Sequence, residues 1–165
     1  MKTKMTILLL VLMSWGAHAQ HDHATHADKK ADEKTPVFKD ENLGKAYYHY
    51  IQLKDALVAS NDQEAKKAAG NLQSALTRVD KKASDEAAKV ATAVDLKAQR
   101  LAFTELSSQM ASLVKEGQLS EGVIYLEYCP MANGGSYWLS NEKEILNPYF
   151  GKSMLRCGSV EKTIE

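Results

Sequence analysis

The sequence predicts a mainly α fold: an antiparallel four-helix bundle with a small C-terminal β-hairpin and loop subdomain. Three observations lead there. Between Leu43 and Val114, apolar residues recur three and four apart in successive runs, the period of helices that bury one stripe. Short breaks holding Asn, Asp and Ser separate the runs, and short connections make neighbouring helices antiparallel. After Gly117 the pattern changes to β-branched and aromatic residues around an Asn-Gly-Gly turn.

Taken in order, residues 1–19 have the three parts of a signal peptide. Lys2 and Lys4 precede an apolar run from Met5 to Trp15, too short to span a bilayer, and Ala17-His18-Ala19 supplies a small-x-small cleavage site. A periplasmic or secreted product is expected, starting at Gln20, with no membrane insertion after cleavage. No cysteine stands near the cut to accept a lipid. With Lys2 and Lys4 gone, 19 of the 21 basic residues face 21 acidic ones, a balance of −2 that gives no reason to expect nucleic acid as a partner.

Residues 20–37 are rich in histidine, alanine and charge, with too little apolar surface to repay the entropy of ordering. A disordered His-rich tail is expected. His21, His23 and His26, beside Asp22, form a candidate secondary metal site, since neutral imidazole binds copper, zinc and nickel. The alternative is a solvated tail without a task.

Residues 38–165 are long enough for a single domain with its own core. Leu43, Tyr47, Tyr50, Leu53 and Leu57 mark the first helix, which ends at Ser60-Asn61. Asn61 followed by Glu64 is a capping box for the second, with Ala65, Ala68, Leu72, Ala75 and Val79 on one face. A loop at 80–83 and an N-cap at Ser84 open the third, carrying Ala87, Val90, Ala91 and Val94. Leu101, Phe103, Leu106, Met110, Leu113 and Val114 define the last helix, which ends at Gly117. Asp95 either separates the last two helices or bends one long helix.

The subdomain, about residues 122–165, begins with a strand through Val123-Ile124-Tyr125-Leu126-Glu127-Tyr128. It turns at Asn133-Gly134-Gly135 and returns through Tyr137-Trp138-Leu139. Ser140 is expected to cap a short helical turn through Glu142 to Ile145, ended by Asn147-Pro148. A lone hairpin is marginally stable, so Trp138, Tyr149 and Phe150 should anchor it on the helices.

Both cysteines of the chain lie in this subdomain, each with a methionine nearby: Cys129 with Met131, and Met154 with Cys157. Thiolate and thioether suit Cu(I) and Ag(I) and are poor ligands for magnesium or calcium, so these four residues are the candidate metal ligands. Trp138 is a candidate aromatic shield for a bound cation, acting through its ring face. Equally, two cysteines in an exported protein can form a disulfide, here a Cys129–Cys157 staple in a structural or interaction module that binds no metal. Closing that loop would stabilise the fold by about 3 kcal/mol in the chain-entropy model. Spacing alone leaves both readings open.

The motifs Tyr-Cys-Pro-Met-Ala, Tyr-Trp-Leu-Ser, Asn-Pro-Tyr-Phe-Gly and Met-x-x-Cys-Gly occur in that order. Upstream stand Leu53-Lys54-Asp55-Ala56-Leu57-Val58-Ala59-Ser60 and Gln99-Arg100-x-x-Phe103-x-x-Leu106-Ser107. Together they resemble the bacterial family known as domain of unknown function 3347, over most of the chain after Phe38. Members of that family occur as small exported proteins and as a terminal domain on periplasmic adaptor subunits of copper and silver efflux systems. The resemblance therefore implies a role in heavy-metal resistance, with an efflux adaptor or another copper-handling protein as partner. No enzyme is expected. The chain shows no serine, histidine and acid set and no glycine-rich phosphate loop, and His49 is the sole mature-chain histidine outside the tail.

Overall fold

The structure, a computed structural model, describes residues 35–117 and 119–165. The signal peptide and His21, His23 and His26 lie outside the described residues. The described chain is mainly α, with four helices and two small antiparallel sheets.

Each helix opens on a side chain that accepts the backbone N–H groups a helix start leaves free. Asp40 caps α1 (Glu41–Val58) through the N–H groups of Asn42 and Leu43, and Asn61 caps α2 (Asp62–Leu76) through that of Glu64. Asp80 caps α3 (Lys81–Thr92) and Asp95 caps α4 (Leu96–Glu116), each at 2.7 Å, to the N–H of Ala83 and Ala98. Two expectations change here. The third helix starts one turn before Ser84, because Asp80 is placed to cap it; Ser84 is instead buried, its hydroxyl donating to the Gln73 carbonyl at 3.1 Å. Asp95 starts a new helix, so the last two are separate.

α1 packs on α2, α2 on α3 and α3 on α4, the order that short connections dictate. The buried faces are those the periodicity marks, with two exceptions. Val94 is 86% exposed and Leu101 62% exposed, so neither belongs to the core stripe. Val94 lies in the break between helices, after the turn that ends α3, and Leu101 faces away from Phe103 and Leu106.

β1 (Val37–Phe38) pairs with β2 (Leu119–Glu121), tying the start of the described chain to the residues after α4. The second sheet has the order β4-β3-β5, with β3 (Ile124–Cys129) central, β4 (Ser136–Ser140) on one side and β5 (Ser159–Ile164) on the other. The β3 and β4 strands are the expected antiparallel pair; β5 is an addition to it. Its register slips at Glu161, since Leu126 pairs with Lys162 and Glu127 with Val160. The helical turn expected from Ser140 to Ile145 is absent. Ser140 ends β4, and its hydroxyl accepts the Glu142 N–H at 3.1 Å, a turn two residues on rather than a helix cap; a single 3₁₀ turn forms later, at Gly151–Ser153.

A continuous file of six rings fastens sheet to helices: Phe38, Tyr47, Tyr50, Phe103, Tyr149 and Trp138, with successive centroids 5.3, 6.2, 5.5, 5.7 and 6.0 Å apart. Buried hydroxyls in the file find partners. Tyr50 Oη accepts the Leu139 N–H at 3.0 Å and is hydrogen-bonded to Ser107 Oγ at 2.6 Å, while Tyr149 Oη donates to the Tyr137 carbonyl at 2.6 Å. Trp138 and Tyr149 are thus core anchors, and Phe150 packs half-buried against the core.

Candidate functional site

Side chains alternate along β3, so Tyr125, Glu127 and Cys129 share one face of the sheet. Opposite them on β4 stand Ser140, Trp138 and Ser136. Cys129 ends the central strand and is fully buried. From β4 the chain passes through residues 141–158 to reach β5, and this passage carries Cys157 to the same place.

Asn147 shapes the passage. It is fully buried; its Oδ1 accepts the N–H groups of Tyr149 at 2.8 Å and Phe150 at 3.3 Å, and its Nδ2 donates to the Cys157 carbonyl at 2.7 Å. Its own N–H donates to the Leu155 carbonyl at 2.9 Å. One amide therefore holds both ends of the loop. The Cys157 N–H returns to the Met154 carbonyl at 3.0 Å, making residues 154–157 a tight turn. Gly158 follows at φ 149°, where a Cβ would stand 2.8 Å from Trp138 Cη2 and 2.9 Å from the Tyr128 carbonyl oxygen. Glycine is required there for the loop to lie this close to the sheet.

The outcome is that Cys129 Sγ and Cys157 Sγ lie 3.1 Å apart. Both are free thiols, Cys129 buried and Cys157 half-buried. The hydrogen bond to Cys129 pushes the Cys157 thiol pKa up, and desolvation pushes it the same way. The two methionines stand differently. Met131, in the turn after β3, is 62% exposed, whereas Met154 is half-buried at the end of the 3₁₀ turn. Among the described residues no group of three or more His, Cys, Asp and Glu side chains is gathered around a common point. Outside the tail, His49 Nδ1 pairs with Gln52 Oε1 at 3.0 Å on the surface of α1.

Glu127, two positions before Cys129 on the same strand face, gave its signal only through that alternation. Its side chain is fully buried, and neither carboxyl oxygen has a hydrogen-bond partner of ordinary geometry. Burial pushes its pKa up to about 8, against the pull of Lys54 and of the Trp138 indole N–H and with a small push from Glu142. The indole N–H lies near enough to act on the carboxyl without closing a hydrogen bond.

The helical motif residues meet this region from the other side. Gln99 Nε2 donates to the Asp62 carbonyl at 2.9 Å. Arg100 Nε donates to the Pro148 carbonyl, and Nη2 to the Leu57 carbonyl and Ser60 Oγ, all at 2.9 Å. Arg100 thus ties the end of α1 to the Asn147-Pro148 turn that shapes the cysteine loop. Phe103 and Ser107, one and two turns on, complete a single stripe through the ring file and the Tyr50 hydroxyl.

No curated protein and no solved structure matches this chain. Residues 46–122 match the model of the family described as Protein of unknown function (DUF3347), so that stretch, from α1 to just past β2, is similar to the family. The match takes in the stripe from Gln99 to Ser107 and ends before Cys129.

Proposed function

We propose that this protein, similar to the DUF3347 family over residues 46–122, is exported and binds a soft monovalent ion, Cu(I) or Ag(I), as cargo. The reduced Cys129–Cys157 pair would hold the ion, with Met131 and Met154 as further sulfur donors and Trp138 as the shielding ring. Its role is to sequester the ion or to hand it to an efflux adaptor or another copper-handling protein, with the His-rich tail as a weaker collector. One observation carries the reading: two thiols 28 residues apart in sequence are brought to 3.1 Å. Thiolates select Cu(I)-type ions over hard cations, and the absence of a gathered carboxylate or imidazole set among the described residues is consistent with a sulfur site.

The distance also states what binding requires. With metal–thiolate bonds of about 2.3 Å, two sulfurs facing each other across an ion stand about 4.6 Å apart. The pair must therefore open by about 1.5 Å from its present separation. At the level of architecture, we take the helices to form an antiparallel four-helix bundle with the C-terminal sheet as its lid; the packing of each helix on the next supports this.

The same 3.1 Å favours a second reading, a Cys129–Cys157 disulfide that staples the segment without metal, since a bond needs sulfurs about 2.05 Å apart. A Cu(I) competition titration separates the two. Reduced protein starting at Pro36 is compared with its Cys129→Ser/Cys157→Ser form. Tighter binding by the thiol-bearing protein supports the cargo reading; equal binding by both replaces it with the staple.

A further inference from the structure

The two sulfurs of the pair differ in access. Cys129 is the last residue of the central strand and is fully buried, whereas Cys157 is half-buried on a tight turn outside the sheet. Cys157 is held by backbone bonds to Met154 and Asn147, not by the strand ladder, so its side chain can swing without breaking the sheet. An external reagent reaches the pair through Cys157. Cys129 then meets only what Cys157 already carries.

We propose that the pair carries out thiol–disulfide exchange with small disulfides in a fixed order, Cys157 as the sulfur that attacks and Cys129 as the sulfur that resolves. This builds on the reading of the pair as one chemical unit and does not depend on metal. In the first step, the Cys157 thiolate attacks a disulfide R–S–S–R. The Cys157–S–R bond forms, the R–S–S–R bond breaks, and one RS⁻ leaves and takes up a proton. In the second step, Cys129 attacks the Cys157 sulfur beside it, and its proton passes to the departing RS⁻. The Cys129–Cys157 bond forms and a second RS⁻ leaves to be protonated. The protein dithiol is oxidised by two electrons, and one external disulfide is reduced to two thiols. In the reverse direction an external thiolate attacks Cys157 and expels Cys129.

The test uses the full mature chain, reduced, with glutathione disulfide as probe and intact mass as readout. Wild type is expected to lose the mass of two hydrogens with no glutathione adduct accumulating. Cys129→Ser is expected to keep one glutathione on Cys157, and Cys157→Ser to react at least about tenfold more slowly, as a buried thiol does. Pulse alkylation of wild type followed by peptide mapping gives an answer independent of how the variants fold: Cys157 should be labelled first. Equal rates for the two variants, or first labelling at Cys129, would overturn the order. Exchange in this order by a protein that binds no Cu(I) would leave this inference standing and remove the cargo reading alone.

Discussion

Glu127 is a residue whose placement carries a measurable cost. Its folded pKa of about 8 lies above the usual carboxylate range, so between those values the folded chain holds a proton that the unfolded chain has released. Stability is then fully present at low pH and falls as pH rises toward about 8, by at most about 1.4 kcal/mol per pH unit. Urea midpoints for wild type should drop between about pH 5 and about pH 8, while Glu127→Gln, which cannot ionise, should show a flatter profile. Parallel profiles would mean that Glu127 is ionised in the fold. Asn147 makes the second residue-scale claim. Asn147→Ala removes the acceptor for the Tyr149 and Phe150 N–H groups and the donor to the Cys157 carbonyl, leaving buried backbone groups unpaired at about 1–3 kcal/mol. The variant should also form the Cys129–Cys157 bond more slowly, read as the rate of thiol loss under a fixed oxidant. An unchanged rate would show that the loop is positioned by something else.

Among the elements, the boundary between α3 and α4 turns on Asp95. Asp95→Ala should cost about 1 kcal/mol by loss of the cap to Ala98, measured by urea unfolding. The helical stripe makes a sharper contrast within α4. Leu106→Ala, at a fully buried position, should cost about 2–4 kcal/mol, whereas Leu101→Ala, at a 62% exposed one, should leave the midpoint nearly unchanged. The two were alike in the sequence, both apolar at roughly helical spacing, and only the packing of neighbouring elements tells which faces inward. The helices themselves were legible because caps and period agree, as at Asn61 and through Leu53 and Leu57. Strand β5 was not, since Ser159-Val160-Glu161-Lys162-Thr163-Ile164 is mostly polar, with two charges in six residues, and mostly exposed, and it is a strand because β3 offers it a free edge. Ser140 misled for a related reason: a serine after a strand serves a turn as readily as a helix start. For the site, the residue types at Cys129 and Cys157 were plain. That they meet was not, because it depends on the Asn147 hydrogen bonds and on Gly158, whose conformation no spacing reveals.

In the molecule as a whole, a helical body matching a family is joined by the ring file and by Arg100 to a sheet and loop that carry one thiol each. The family match ends before the pair, so the proposed chemistry lies outside the matched stretch, and Arg100 of α4 ties the end of α1 to the loop that carries Cys157. If the pair oxidises, closing a loop between positions 28 residues apart should raise unfolding stability by about 3 kcal/mol over the reduced protein. Oxidised and reduced samples with equal urea midpoints would contradict that. The same two states give the most direct test of the central claim, that Cys129 and Cys157 are one site for a soft ion. Cu(I) content is measured by native mass spectrometry on reduced and oxidised protein from Pro36 onward, each incubated with a competing Cu(I) chelator. The account predicts one Cu(I) per chain in the reduced sample, with loss of the thiol protons, and none in the oxidised sample; equal copper in both, or none in the reduced one, would contradict it.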